Sequence, residues 1–131
     1  MTEQPSYSQW AIAELKRCEP WIRAAIDRGT ATHGFEDIAK AVLACDMQLW
    51  ADDTGCAVTE VMVYPKRKVM NIFLAGGELE AVGRIVERIE RFAPHIGVQS
   101  LTYIGRPGWA KFGDERGWAG KLVFMEKDLV T

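Results

Sequence analysis

The sequence predicts an α/β (α+β) fold: one domain over residues 1–131, built on a mixed sheet of about five strands with flanking helices and a helical N-terminus. Three observations predict it. The first 45 residues carry apolar side chains at spacings of three and four, the period of a helix packed along one face. From residue 46 onward, short β-branched runs alternate with turn clusters. Within that second part an amphipathic helix separates two strands, the pattern of a right-handed parallel crossover.

Taken in order, residues 6–28 hold Trp10, Leu15, Cys18, Trp21, Ile22, Ala25 and Ile26 at helical spacing. Pro20 falls inside this run, and proline fits the first turn of a helix but not its interior, so two short helices with a break near residues 18–20 are expected. Gly29 is a C-cap candidate. A second helix follows over about 35–45, with Glu36 and Asp37 in its first turn, where carboxylates complement the dipole.

Residues 47–50, 57–64 and 69–74 read as three strands joined by the turns at 52–55 and 65–68, hence an antiparallel meander. Gly76-Gly77 opens a helix over about 78–92, whose apolar stripe is Leu79, Val82, Ile85, Val86, Ile89 and Phe92. A fourth strand over 98–104, a short helix over 109–116 and a last strand over 122–126 complete the order. Residues 1–45 are thus mainly helical, and 46–131 form the sheet with two helices.

Composition excludes several classes. An apolar content of 48% with only 12 Gly and 5 Pro is that of a packed domain and not of a collagen-like or disordered chain. Sixteen basic and 18 acidic side chains leave a net charge of −2, so no global basic field exists and nucleic-acid contacts would be weak. Cys18, Cys45 and Cys56 are odd in number and widely spaced, which argues against a disulfide framework or a metal site and for buried free thiols. Residues 1–5 lack the basic and apolar regions of a signal peptide, and the longest apolar stretch, 69–77, is too short to span a bilayer. A cytoplasmic protein is expected.

The order of elements resembles the GNAT acyltransferase fold without its usual first strand. Two stretches carry the likeness: the strand–turn–helix at Phe73-Leu74-Ala75-Gly76-Gly77-Glu78-Leu79, and Ala110 to Trp118, similar to the Ala…Tyr…Gly-Phe segment of that family. Thr59-Glu60-Val61, Tyr64-Pro65, Gly105-Arg106-Pro107-Gly108-Trp109 and Gly117-Trp118 further resemble small GNAT-like proteins encoded by phages and prophages among structural genes. The likeness runs from about Cys18 to Leu129.

The resemblance implies that Leu74, Ala75, Gly76 and Gly77 would hold the pyrophosphate of acetyl-CoA, if the cleft is functional. The family's Arg/Gln-x-x-Gly-x-Gly/Ala signature is incomplete here, and Glu78 and Glu80 stand where they would repel a diphosphate. The family's thiolate-protonating tyrosine falls on Gly113, which has no proton to give; Tyr103 and Tyr64 are the substitutes. Glu60, a carboxylate inside a strand, is the candidate general base, on one face with Met62 and Tyr64. His33 and His95 fall in loops without a Ser or Cys partner.

With two of three catalytic requirements degraded, no cofactor is expected. The implied role is that of a virion or assembly component acting in the host cytoplasm or inside the virion. Its partners would be other phage virion proteins or a second copy. Arg106, Trp109 and Trp118 are the candidate interface residues, since Trp and Arg dominate interface energetics. The alternative is an acetyl-CoA-dependent N-acyltransferase with an atypical site. The basic turn Lys66-Arg67-Lys68 is read as a solvated hairpin tip.

Overall fold

The computed structural model describes residues 6–29 and 32–129; the N-terminal segment 1–5, read above as no signal peptide, lies outside the described residues. Helix α1 (Tyr7–Asp27) starts at a capping box: the Ser6 hydroxyl accepts from the Gln9 N–H at 3.2 Å, and the Ser6 N–H donates to Gln9 Oε1 at 2.9 Å. Contrary to the expected break, α1 runs through Pro20 as one helix. Pro20 and Lys16 are on the exposed side, so the Lys16 carbonyl left without a donor faces water, and Leu15, Cys18 and Ile22 on the opposite side stay packed. Burial along one face outweighs the local cost of the proline.

Helix α2 (Phe35–Leu43) follows, its first turn tied by the Asp37 carboxylate accepting from the Gly34 N–H at 2.8 Å. Strands β1 (Gln48–Asp52), β2 (Gly55–Val63) and β3 (Lys68–Gly77) form the expected antiparallel meander. Helix α3 (Leu79–Phe92) then crosses over, through a tight helical turn at Ala93–Ile96, to β4 (Ser100–Tyr103), which pairs parallel with β3. A short helix α4 (Gly108–Asp114) comes last. Among the described residues the sheet order is β1-β2-β3-β4, four strands and not five.

The expected strand at 122–126 is absent: these residues hold no regular structure, and among the described residues no hydrogen bond ties 119–129 to the rest of the chain. A strand exists only through a neighbour's ladder, and this segment has none here.

The sheet divides two apolar layers. On one face α1 and α2 bury Leu15, Cys18, Ile22, Ile38 and Val42 against Leu49, Cys56, Val58 and Leu74. On the other, α3 and α4 bury Val82, Ile85, Val86, Ile89 and Phe112 against Ala57, Met70 and Ile72. The stripe read for α3 is largely the buried one, but Leu79 and Phe92, at its two ends, are exposed. Cys18 and Cys56 are buried beside each other, and their contact, with burial, pushes the Cys56 thiol up. Cys45 is exposed, against the expectation of a buried thiol, because it follows the end of α2 in a turn at φ +63°.

The β1–β2 turn is held from two sides. Arg84 of α3 grips Asp52 with two bonds, 2.8 and 3.0 Å, and Arg17 of α1 donates to the Asp52 carbonyl at 3.0 Å. The Arg84 guanidinium holds the Asp52 carboxyl down at about 2. A depressed carboxyl contributes stability above its unfolded value, about 3.9, and loses it as pH falls through the folded one. Asp52→Asn is therefore expected to melt lower than the unmodified chain at neutral pH, with the gap closing as pH falls from about 4 towards 2 in thermal scans.

Candidate functional site

A bulge opens the sheet. Val58 pairs with Leu74 and Thr59 with Ile72, so Phe73 is the extra residue on β3. Its effect is visible in the layers: Ile72 faces α3, whereas Phe73 and Leu74 both face α1 and α2. Beyond the bulge β3 also loses its parallel partner. The β3–β4 ladder covers only Val69–Ile72 against Ser100–Tyr103, while β2 follows β3 to Gly77 on the other side. From Phe73 to Gly77 one backbone edge of β3 therefore has no strand beside it among the described residues.

The divergence leaves a cleft of about 380 Å³ between the end of β3, the C-terminal end of α1, and the β4–α4 segment. Its walls are mainly apolar: Trp21, Ala25, Ile72, Val86, Ile104, Trp109 and Phe112, among others. The charged side chains among its lining residues are Arg28 and Arg106, both cationic, and neither pairs with a carboxylate among the described residues.

Leu74, Ala75, Gly76 and Gly77 all line this cleft. The two glycines are also demanded by packing. A side chain on Gly76 would come within 2.7 Å of the Trp21 carbonyl oxygen of α1. Gly77 has φ +105°, and a side chain there would fall on the Thr54 carbonyl and Gly55. The Glu78 N–H is spent on the Thr54 carbonyl at 2.9 Å. Glu78 and Glu80 are not among the lining residues, although Glu78 directly follows Gly77.

Tyr103 lines the cleft, and Glu60 does not. The Tyr103 hydroxyl donates to the Trp109 carbonyl at 2.7 Å, and burial, with Asp114 nearby, raises its pKa. It sits where a side chain on Gly113 would project, so that space is already filled from the neighbouring strand. Glu60 is on the sheet face away from α3, in a row across three strands: Thr102 Oγ1 donates to Asn71 Oδ1 at 2.9 Å, and Asn71 Nδ2 donates to Glu60 Oε1 at 3.2 Å. Phe73 follows on that face, with the His33 ring edge-on to it, centroids 4.7 Å apart.

The candidate interface residues Arg106, Trp109 and Trp118 also line this cleft. Trp118 is stacked obliquely on Tyr103 at 4.9 Å, and its backbone N–H donates to the Gly113 carbonyl. Sequence reading missed Arg28, Asn71, Thr102 and Phe73. The double apolar step Phe73-Leu74 was the available trace of the bulge, yet it reads equally as a buried strand.

Solved structures match this arrangement of elements. A Thermus thermophilus protein, TTHA1254, aligns over 100% of this chain and 99% of its own, with TM-score 0.63 and 15% identity. A GNAT family acetyltransferase of Staphylococcus aureus aligns at TM-score 0.59 and 13% identity, over 89% of this chain and 93% of its own. The chain has the GNAT acetyltransferase fold. The aminoglycoside N-acetyltransferase AAC(6')-Iy, solved in complex with CoA, aligns at TM-score 0.59 and 13% identity, over 88% and 90%. No protein-family model and no curated protein matches the chain. Among the described residues no cluster of three metal-ligating side chains occurs, and no helix is long and apolar enough to cross a membrane.

Proposed function

We propose that the cleft receives an acyl-coenzyme A and that the chain is an acyl-CoA-dependent N-acyltransferase with an atypical site. The observation that carries this is the pairing of an apolar cleft along an open strand edge with two arginines, unpaired among the described residues, as its charged lining. An extended amide-bearing arm finds donors and acceptors along Phe73–Gly77 as an added strand would, and Arg28 and Arg106 suit phosphate oxygens. A bound acyl-CoA would supply an activated thioester. The chain's own contribution is positioning and exclusion of water.

Tyr103 fits a supporting role better than that of a proton donor, because its proton is committed to the Trp109 carbonyl. A thiol, with a pKa of about 8.5, leaves without help far more readily than an alcohol, so the missing acid on Gly113 slows turnover without forbidding it. The row Glu60–Asn71–Thr102, next to Phe73 on the face away from α3, supports the approach of an amine from that side.

The reading as a phage virion or assembly component, cytoplasmic or packaged, rests on sequence resemblance. The committed Tyr103 hydroxyl and Gly113 favour the related idea of a domain that binds without turning over. Titration calorimetry with acetyl-CoA and with CoA separates these. Binding weakened on the order of tenfold or more by Arg28→Glu, with thiol release on adding amines, supports the enzyme. Binding without release across an amine panel leaves a binding module, and no binding of either compound rejects the proposal.

A further inference from the structure

The sheet face away from α3 holds a charge without a counter-charge. Glu60 is half-buried in β2, and Asn71 Nδ2 donates to its Oε1 at 3.2 Å. It forms no ion pair among the described residues. The residues around it on this face, Met62, Val69, Asn71, Phe73 and Thr102, are all uncharged. Drawing a carboxylate partly out of water is costly unless a cation or several donors meet it, and here a single side-chain amide does.

Phe73 joins this row to the cleft, since it lines the cleft and follows Asn71 on the same face through the bulge. Asn71 is directly opposite Glu60 in the β2–β3 ladder, so Phe73 is the diagonal neighbour of Glu60, roughly 7–8 Å away. The two signs of charge are divided. The charged lining of the cleft is Arg28 and Arg106, which suit an anionic donor and repel an ammonium; the carboxylate stands outside it, past Phe73.

We infer that the acceptor is a short aliphatic diamine, one end an ammonium held by Glu60 and the other a neutral amine presented beside Phe73; this rests on the acyl-transfer reading above. The neutral nitrogen forms the amide C–N bond as the thioester C–S bond breaks. The thiolate leaves with the electron pair, and the nitrogen's surplus proton passes to water. A monoamine has one nitrogen for two tasks: protonated it can pair with Glu60, neutral it can attack, and it cannot do both at once. A diamine does both, and a chain of about five carbons spans the diagonal spacing. Its methylene groups meet the Phe73 ring, which the His33 ring supports edge-on at 4.7 Å. The ammonium gains a charge-assisted bond at the oxygen that Asn71 leaves open.

Glu60→Gln tests this on the full chain, because it removes the charge and keeps an oxygen for Asn71. Calorimetry of the CoA-loaded protein with α,ω-diaminopentane needs no turnover: the variant is expected to bind the diamine on the order of tenfold more weakly. An unchanged affinity overturns the inference. With acetyl-CoA, thiol release should favour the diamine over pentylamine by about tenfold or more in kcat/KM, and Glu60→Gln should erase that preference through KM. Equal use of the two amines by the unmodified protein overturns the inference, and so does a kcat that falls alike for both in the variant, which marks a base and not an anchor. Heat on adding CoA, with either of these failures, leaves the acyl-CoA reading standing. No heat with CoA removes that reading and this inference with it.

Discussion

Gly77→Ala is expected to destabilise the fold by about 3 kcal/mol or more, a shift in melting temperature on the order of 10 °C. Two costs combine. At φ +105° an L side chain is strained even in open space, and here the space is taken by the Thr54 carbonyl and the Gly55 backbone of the β1–β2 turn. Neither obstacle is a flexible side-chain end that could swing away. The turn itself is held by Arg84 on Asp52 and by Arg17 on the Asp52 carbonyl, so relief would break those contacts too. Urea unfolding of the two proteins measures the difference. A loss within about 0.5 kcal/mol, the range of ordinary surface substitutions, would show that the turn is free to move.

That expectation changes how the Gly76-Gly77 pair is understood. In the sequence it has two explanations, a phosphate-binding turn and a tight strand-to-helix connection, and no residue nearby distinguishes them. The fold shows that the second holds at both positions, through Trp21 and Thr54, and that the cleft lies beside them all the same. A variant such as Gly77→Glu would therefore damage folding and binding together. Arg28 lies outside these close contacts; as the C-cap of α1 it makes Arg28→Gln, which removes the cation without adding an anion at the helix end, the control for Arg28→Glu.

What is legible in the sequence follows from periodicity. The meander, the α3 crossover and the helical N-terminus come from patterns that a single face of burial imposes. Pro20 misleads because its local cost is set against a helix whose opposite face buries Leu15, Cys18 and Ile22. The segment 122–126 misleads for the opposite reason: its composition is right, but a strand is a relation between segments, and the partner is not encoded in the segment. The bulge at Phe73, which opens the cleft, depends on register between β2 and β3 and leaves little trace in either strand alone. Arg28 becomes part of the site only because α1 is one helix long enough to bring its end to β3. Glu60 is legible as an unusual carboxylate, yet its place across the sheet from α3, bonded to Asn71, requires the pairing to be known.

Gly113 and Tyr103 are expected to behave as one unit. Gly113→Ala should cost about 1–2 kcal/mol, since the new methyl group would press on the Tyr103 hydroxyl and approach Trp118 Cβ, at 3.2 Å. Tyr103→Phe should cost about 1 kcal/mol, because the Trp109 carbonyl loses its donor. In the double variant the hydroxyl that obstructs the methyl group is gone, so the two losses should fall short of additivity by about 1 kcal/mol. Additive losses would mean that the hydroxyl does not close this position. The coupling bears on chemistry as well as stability. A tyrosine placed at position 113 would meet Tyr103, and displacing Tyr103 would break the bond that pins α4 to β4. A large side chain at 113 on α4 therefore requires a smaller residue at 103 on β4. Gly113→Tyr combined with Tyr103→Ala should keep α4 packed where Gly113→Tyr alone does not, and a fluorescence signal from Trp109 and Trp118 during unfolding distinguishes them.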